Sequence, residues 1–136
     1  MPKQSMKAAV RAVHSLADGG PLGPFQGGLK VPSGEDFIVE ATLLHDNPVW
    51  QITLAGRTRA GKPFERVIGK NAAHMPATLV QGVPDGDYQL VISVTLQDPA
   101  GTFEVRARSS VDEDRDLFVF VPHNPVQFDF RPVRVG

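Results

Sequence analysis

Cysteine is absent from this 136-residue chain, which removes disulfides, thiolate metal sites, iron–sulfur clusters and thiol nucleophiles. Tryptophan and tyrosine occur once each. No run approaches the roughly 18 consecutive apolar residues of a membrane-spanning helix. Neither sign of charge dominates: 14 Lys and Arg stand against 15 Asp and Glu, a formal net charge of −1. No long-range field therefore points to nucleic acid or to an anionic membrane. The polar start, Met1-Pro2-Lys3-Gln4-Ser5-Met6, leads into no signal-peptide core. The expectation is a cytoplasmic protein, or an exported chain trimmed of its leader, and the missing cysteine leans toward a reducing compartment.

What is present fits one domain, with 41% apolar residues, enough for a single core. Residues 5–17 carry the one helical pattern. Met6, Ala9, Val10, Val13 and Leu16 share a face at 3.6 residues per turn, with Lys7, Arg11, His14 and Ser15 on the other. Ser5 is a candidate cap, and Asp18-Gly19-Gly20 a candidate stop. A strand is the rival reading, since Ala8, Val10, Ala12 and Leu16 also alternate. Gly19, Gly20, Gly23, Gly27, Gly28 and Gly34, with Pro21, Pro24 and Pro32, then interrupt any ladder or helix. This segment reads as a linker or surface loop carrying the apolar docking residues Leu22, Phe25 and Leu29. The expected division is an arm and linker over 1–35 and a β-domain over 36–136.

From Asp36 the period becomes two. Phe37, Val39, Ala41 and Leu43 alternate with Ile38, Glu40, Thr42 and Leu44; Trp50, Ile52 and Leu54 follow. Ala60-Gly61-Lys62 marks a hairpin tip before Phe64, Arg66 and Ile68. A short strand is expected around 78–80. Tyr88, Leu90, Ile92, Val94 and Leu96 line one face of the clearest strand. Asp98-Pro99-Ala100-Gly101 fits a type I turn, with Phe103, Val105 and Ala107 opening a return strand. Leu117–Val121 is apolar on both faces, as a covered central strand would be. Val126, Phe128 and Phe130 alternate with Gln127, Asp129 and Arg131. About seven or eight strands, with turn signals every 8–12 residues or so, predict an all-β, antiparallel two-sheet sandwich.

Val83-Pro84-Asp85-Gly86-Asp87-Tyr88, running into the alternating strand to Leu96, resembles a segment of immunoglobulin-like, fibronectin-type-III-like and transthyretin-like bacterial modules. There a Pro-x-Gly-x-Tyr turn precedes a strand of alternating aliphatics. The resemblance covers about fourteen residues. It implies an Ig-like or related Greek-key sandwich. Tyr88 would cap the core and return its hydroxyl to the backbone, and Trp50 sits where a core tryptophan is expected. For function it implies adhesion, assembly or spacing more often than chemistry.

Four constellations remain. Asp112, Asp114 and Asp116 lie in an acidic run that offers calcium closely spaced carboxylates; Arg115 interrupts it, and the bland reading is a solvated loop guarding a sheet edge. His14, His45, His74 and His123 fall in separate segments without ligand spacing. No Gly-x-Ser-x-Gly nucleophile elbow occurs, and the glycine-rich stretch lacks a phosphate-loop ending. Arg57 and Arg59 share a face, as do Arg106 and Arg108. If their strands lie in one sheet, they make an arginine face suited to carboxylate or phosphate. Otherwise they pair with Glu65, Glu104 and Asp129 on a solvated face. The expectation is a non-catalytic module for protein–protein interaction or assembly, with a protein partner or self-association through Arg57, Arg59, Arg106, Arg108, Leu22 and Phe25. No cofactor is expected unless calcium. A carbohydrate- or calcium-binding sandwich is the alternative, and a small hydrolase the more distant one.

Overall fold

The computed structural model describes residues 8, 10, 11, 29–44, 49–71, 75–95, 102–110, 116–120 and 126–136. They form nine strands: β1 Leu29–Val31, β2 Phe37–Leu44, β3 Val49–Thr58, β4 Pro63–Lys70, β5 Met75–Val80, β6 Gly86–Thr95, β7 Thr102–Ser109, β8 Asp116–Phe120 and β9 Val126–Val135. The protein is all-β, in two sheets. A five-stranded sheet runs β1-β9-β6-β3-β4 and a four-stranded sheet β5-β2-β7-β8. Trp50, Ile52, Leu54, Leu90, Ile92 and Val94 from the first sheet meet Phe37, Val39, Phe103, Val105 and Ala107 from the second in one buried cluster. The Trp50 and Phe103 rings, 5.5 Å apart between centroids, join the two layers.

Four expectations change. The sandwich takes in β1, which the glycine pattern assigned to the linker: Leu29 and Val31 are buried, and Pro32, without an N–H, ends the strand. The pairing is not antiparallel throughout, because β1 runs parallel to β9 in register Leu29↔Val133. Parallel pairing needs a long connection, and β1 meets the other end of the chain, with the Gly136 N–H donating to Val31 O at 2.8 Å. The turn at 98–101 does not close a hairpin. β6 and β7 lie in different sheets, so their apolar faces meet across the core rather than side by side. Finally, the strand expected over Leu117–Val121 is not central in its described part, since β8, which holds 117–120, ends the order of the four-stranded sheet. Of residues 5–17, only Ala8, Val10 and Arg11 are described. Their backbone is helical, and no helix is delimited among the described residues.

Tyr88 organises one end of the five-stranded sheet. Its cross-strand partner is Gly56, whose neighbour on the other side is Phe64. The two rings meet over that glycine, edge to face at 5.3 Å and 71°. A side chain at 56 would strike Asp87 O and come within 2.6 Å of the Tyr88 Cα; one at 86 would come within 2.9 Å of the Tyr88 hydroxyl. The hydroxyl donates to Pro84 O at 2.5 Å. At the opposite end, Asn71 takes a left-handed conformation (φ 48°). There its side chain accepts from the Trp50 N–H at 2.8 Å and its own N–H donates to Trp50 O at 3.0 Å. Asn tolerates that region better than most residues, and the pair of bonds seals the end of the β3–β4 hairpin.

Gly56→Val is expected to destabilise the fold by about 2–3 kcal/mol, since the obstructing atoms are backbone and cannot step aside. A urea unfolding curve would show it as a lowered midpoint with an unchanged slope. Burial, and then the charges of Asp85 and Asp87, push the Tyr88 hydroxyl up from 10.0 to about 12. The neutral phenol is therefore the form the fold favours. Its contribution to stability is complete below pH 10 and is lost as pH rises towards 12. Tyr88→Phe should lower stability at pH 7 by about 1 kcal/mol, through the lost hydrogen bond. It should also flatten the alkaline fall seen in urea melts between pH 9 and pH 12.

Candidate interaction face

The period-two rule sorts the five-stranded sheet into an inner and an outer face. Trp50, Ile52 and Leu54 point inward from β3, so Val49, Gln51, Thr53, Ala55 and Arg57 point outward. Register carries the same division to the neighbours. Val91 pairs with Thr53 on one side and with Phe130 on the other, and Thr53 also pairs with Val67. Phe130, Val91, Thr53 and Val67 therefore form one row across four strands, all on the outside. The next row is Pro132, Gln89, Ala55 and Glu65. Beyond it lies a charged row, Lys30, Arg134, Asp87 and Arg57.

Burial along these rows is uneven. Val91, Thr53 and Ala55 are fully buried, while Phe130, Val67 and Val49 at the rim are 39%, 50% and 51% exposed. Thr53 keeps its hydroxyl satisfied by accepting from Gln51 Nε2 at 2.9 Å. The side-chain amide oxygen of Gln89 (Oε1) is buried with no hydrogen-bond partner. In the charged row, Arg134 Nε donates to Asp87 Oδ1 at 2.7 Å, and Arg57 folds back to donate to Gly61 O at 2.8 Å. Ser33 clamps the neighbouring Asp85 at 2.8 Å, and the Arg59 N–H donates to Asp85 O at 2.7 Å. This end is a closed lattice of hydrogen bonds with basic groups on its surface.

The expected arginine face is not assembled. Arg57 lies on β3 and Arg59 in the turn after it, whereas Arg106 and Arg108 lie on β7 in the other sheet. The two pairs face away from each other because β6 and β7 are joined by a crossover between layers. Arg106 instead pairs with Glu104, its neighbour two residues along the same strand, and Arg108 stands in register with Ile38 and Asp116. Asp116 opens β8. Asp112 and Asp114 lie outside the described residues, as do Leu22, Phe25 and the four histidines. Among the described residues no three acidic or histidine groups come together to hold a metal, and no helix is long and apolar enough to cross a membrane.

The outer apolar row was missed in the sequence, although a signal for it exists. In β9 the apolar positions are even, 126, 128 and 130, and then odd, 133 and 135. Pairing with β6 continues without a register break over the whole strand, so the strand cannot turn over between them. Val133 and Val135 are in the core cluster, so Phe130, of the opposite parity, faces away from the core. A small groove of about 110 Å³ lies between the β4 and β5 edges, lined by Arg66, Ile68, Leu79 and Val80 among others. Arg66 fills part of it, donating to Gln81 O at 2.6 Å and lying 5.3 Å from the Phe64 ring centre.

Asp87→Asn is expected to change stability by less than about 1 kcal/mol, because both partners of the Arg134–Asp87 pair are a third or more exposed. The loss in a thermal melt should shrink further in 1 M salt. Compared with known proteins, the chain matches no family model, no curated protein and no solved structure.

Proposed function

We propose that this chain is a non-catalytic β-sandwich module for protein–protein interaction or assembly. The outer face of its five-stranded sheet is the contact surface. The observation that carries this reading is the placement of Val49, Val67 and Phe130, three large apolar side chains about half-exposed on one face. A sheet face that meets only water alternates polar residues there. Exposed apolar side chains at the margins of one face, with the basic Lys30, Arg57 and Arg134 beyond them, have the composition of a contact surface. The resemblance of the Tyr88 turn to Ig-like, fibronectin-type-III-like and transthyretin-like modules supports the same class of function and the finer Greek-key assignment. The hydroxyl bond from Tyr88 to Pro84 O is the kind that resemblance implies. No arrangement among the described residues favours the carbohydrate, calcium or hydrolase alternatives over this one.

Light scattering across a concentration series provides the test. The expected result is a mass rising above the 14.7 kDa of one chain, and a return to that value in the Phe130→Asp, Val67→Lys double variant with its melting temperature kept within a few degrees. A wild-type mass fixed at one chain, together with a double variant that melts higher and is equally monodisperse, would remove the patch as a self-association surface.

A further inference from the structure

The middle of the outer face poses a problem of its own. On a solvated sheet, neighbouring strands stand about 4.8 Å apart, and side chains as short as valine, threonine and alanine do not hide one another completely. Val91, Thr53 and Ala55 are nonetheless at 0% exposure, while the ends of the same rows are open. Gln51 reaches over to the Thr53 hydroxyl, but long polar side chains do not account for the whole of this. If they did, the side-chain amide oxygen of Gln89 (Oε1) among them would reach water, and it is buried without a partner. The cover is therefore apolar, narrow and centred on β6 and β3.

Ile38, on the outside of the other sheet, is likewise buried (7%) and outside the inter-sheet cluster, but one described residue that belongs to neither sheet has the matching deficit. Val10 is 4% exposed, yet it belongs to no part of the cluster between the sheets. Its backbone and those of Ala8 and Arg11 are helical, and both of these neighbours are exposed. A helical turn with Val10 inward and Ala8 and Arg11 outward is an amphipathic element seated on something outside the core. The chain enters the fold through β1, an edge strand of this same sheet, so the arm is tethered beside the face in question.

We propose that the helical turn carrying Val10 docks on the outer face of the five-stranded sheet of its own chain, over Val91, Thr53 and Ala55. A β-sheet buried on one side only becomes a three-layer arrangement, helix on sheet on sheet, with Phe130, Val67 and Val49 left as an apolar rim. The face is thus a receptor for an amphipathic helix, and its resident ligand is the arm. This inference does not rest on the proposed function: a strict monomer would carry the same contact.

The chain has no cysteine, so a nitroxide on Ala8→Cys labels one exposed position of the arm without background. In a dilute ¹⁵N-labelled sample, the amide signals of Thr53, Ala55, Gln89 and Val91 should lose most of their intensity. Those of Ile38 and Leu79, on the outside of the other sheet, should keep theirs. Adding Val10→Asp should restore the lost signals and raise binding of an apolar dye several-fold while the four-stranded sheet stays dispersed. Broadening at Ile38 and Leu79, or at neither set, would overturn the proposal. So would broadening at Thr53 and Val91 that appears only when spin-labelled unlabelled-isotope chains are mixed with ¹⁵N chains, which would assign the contact to a second copy.

Discussion

Gly56 and Gly86 leave between β3 and β6 the space that the Tyr88 ring fills, and much of one end of the molecule follows from that fit. With the ring in place, its hydroxyl reaches Pro84 O and fixes the turn that brings Asp85 and Asp87 to the start of β6. Asp85 then receives Ser33 and the backbone of Arg59, which ties the segment after β1 to the β3–β4 hairpin. Asp87 receives Arg134, which ties in the end of the chain. Each of these bonds is worth little alone. Their common dependence on one buried ring makes the end a unit, and the burial of that ring, followed by the charges of Asp85 and Asp87, keeps the phenol neutral well above the usual range.

Alternation was a reliable guide where a strand has one dry and one wet face. The pattern of Phe37, Val39 and Ala41, and that of Tyr88, Leu90, Ile92 and Val94, placed the same side chains in the core that the structure buries. It failed where the deciding facts are not local. Nothing in the turn chemistry of 98–101 says whether the next strand pairs with the last or crosses to the other layer, since both outcomes present apolar faces to one core. The three residues of β1 are too few to show a period, and parallel pairing with the far end of the chain has no short-range signature. Arg106 and Arg108 were correctly assigned to one face, but which sheet owns that face is a property of topology alone.

The most instructive miss concerns strands apolar on both sides. That character was read in Leu117–Val121, whose described residues, 117–120, lie in the edge strand β8. It also stands in Leu90-Val91-Ile92 of β6 and in Ile52–Ala55 of β3, where every residue is fully buried. Those segments were read only for their inward members. A continuous buried run in a strand means two covered faces; two of the strands that show it are neighbours in the middle of the five-stranded sheet, one with Thr53 as its polar member, and Phe37-Ile38-Val39 of β2 is a third.

The rim and the centre of that outer face obey different constraints, which bears on how a single surface can serve two contacts. The centre is built from short side chains, Val91, Thr53 and Ala55, whose low relief admits close approach of a helix. The rim is built from longer ones, Phe130 and Val67, that stand at either end of the same row and remain half in water. A polar cover would leave the Gln89 side-chain amide oxygen solvated, and a broad one would bury the rim. A narrow apolar element satisfies both, and it leaves its own outer side, Ala8 and Arg11, continuous with the exposed rim. A partner meeting this face would therefore touch arm and sheet together, so that the order of the arm and the shape of the surface are physically one variable.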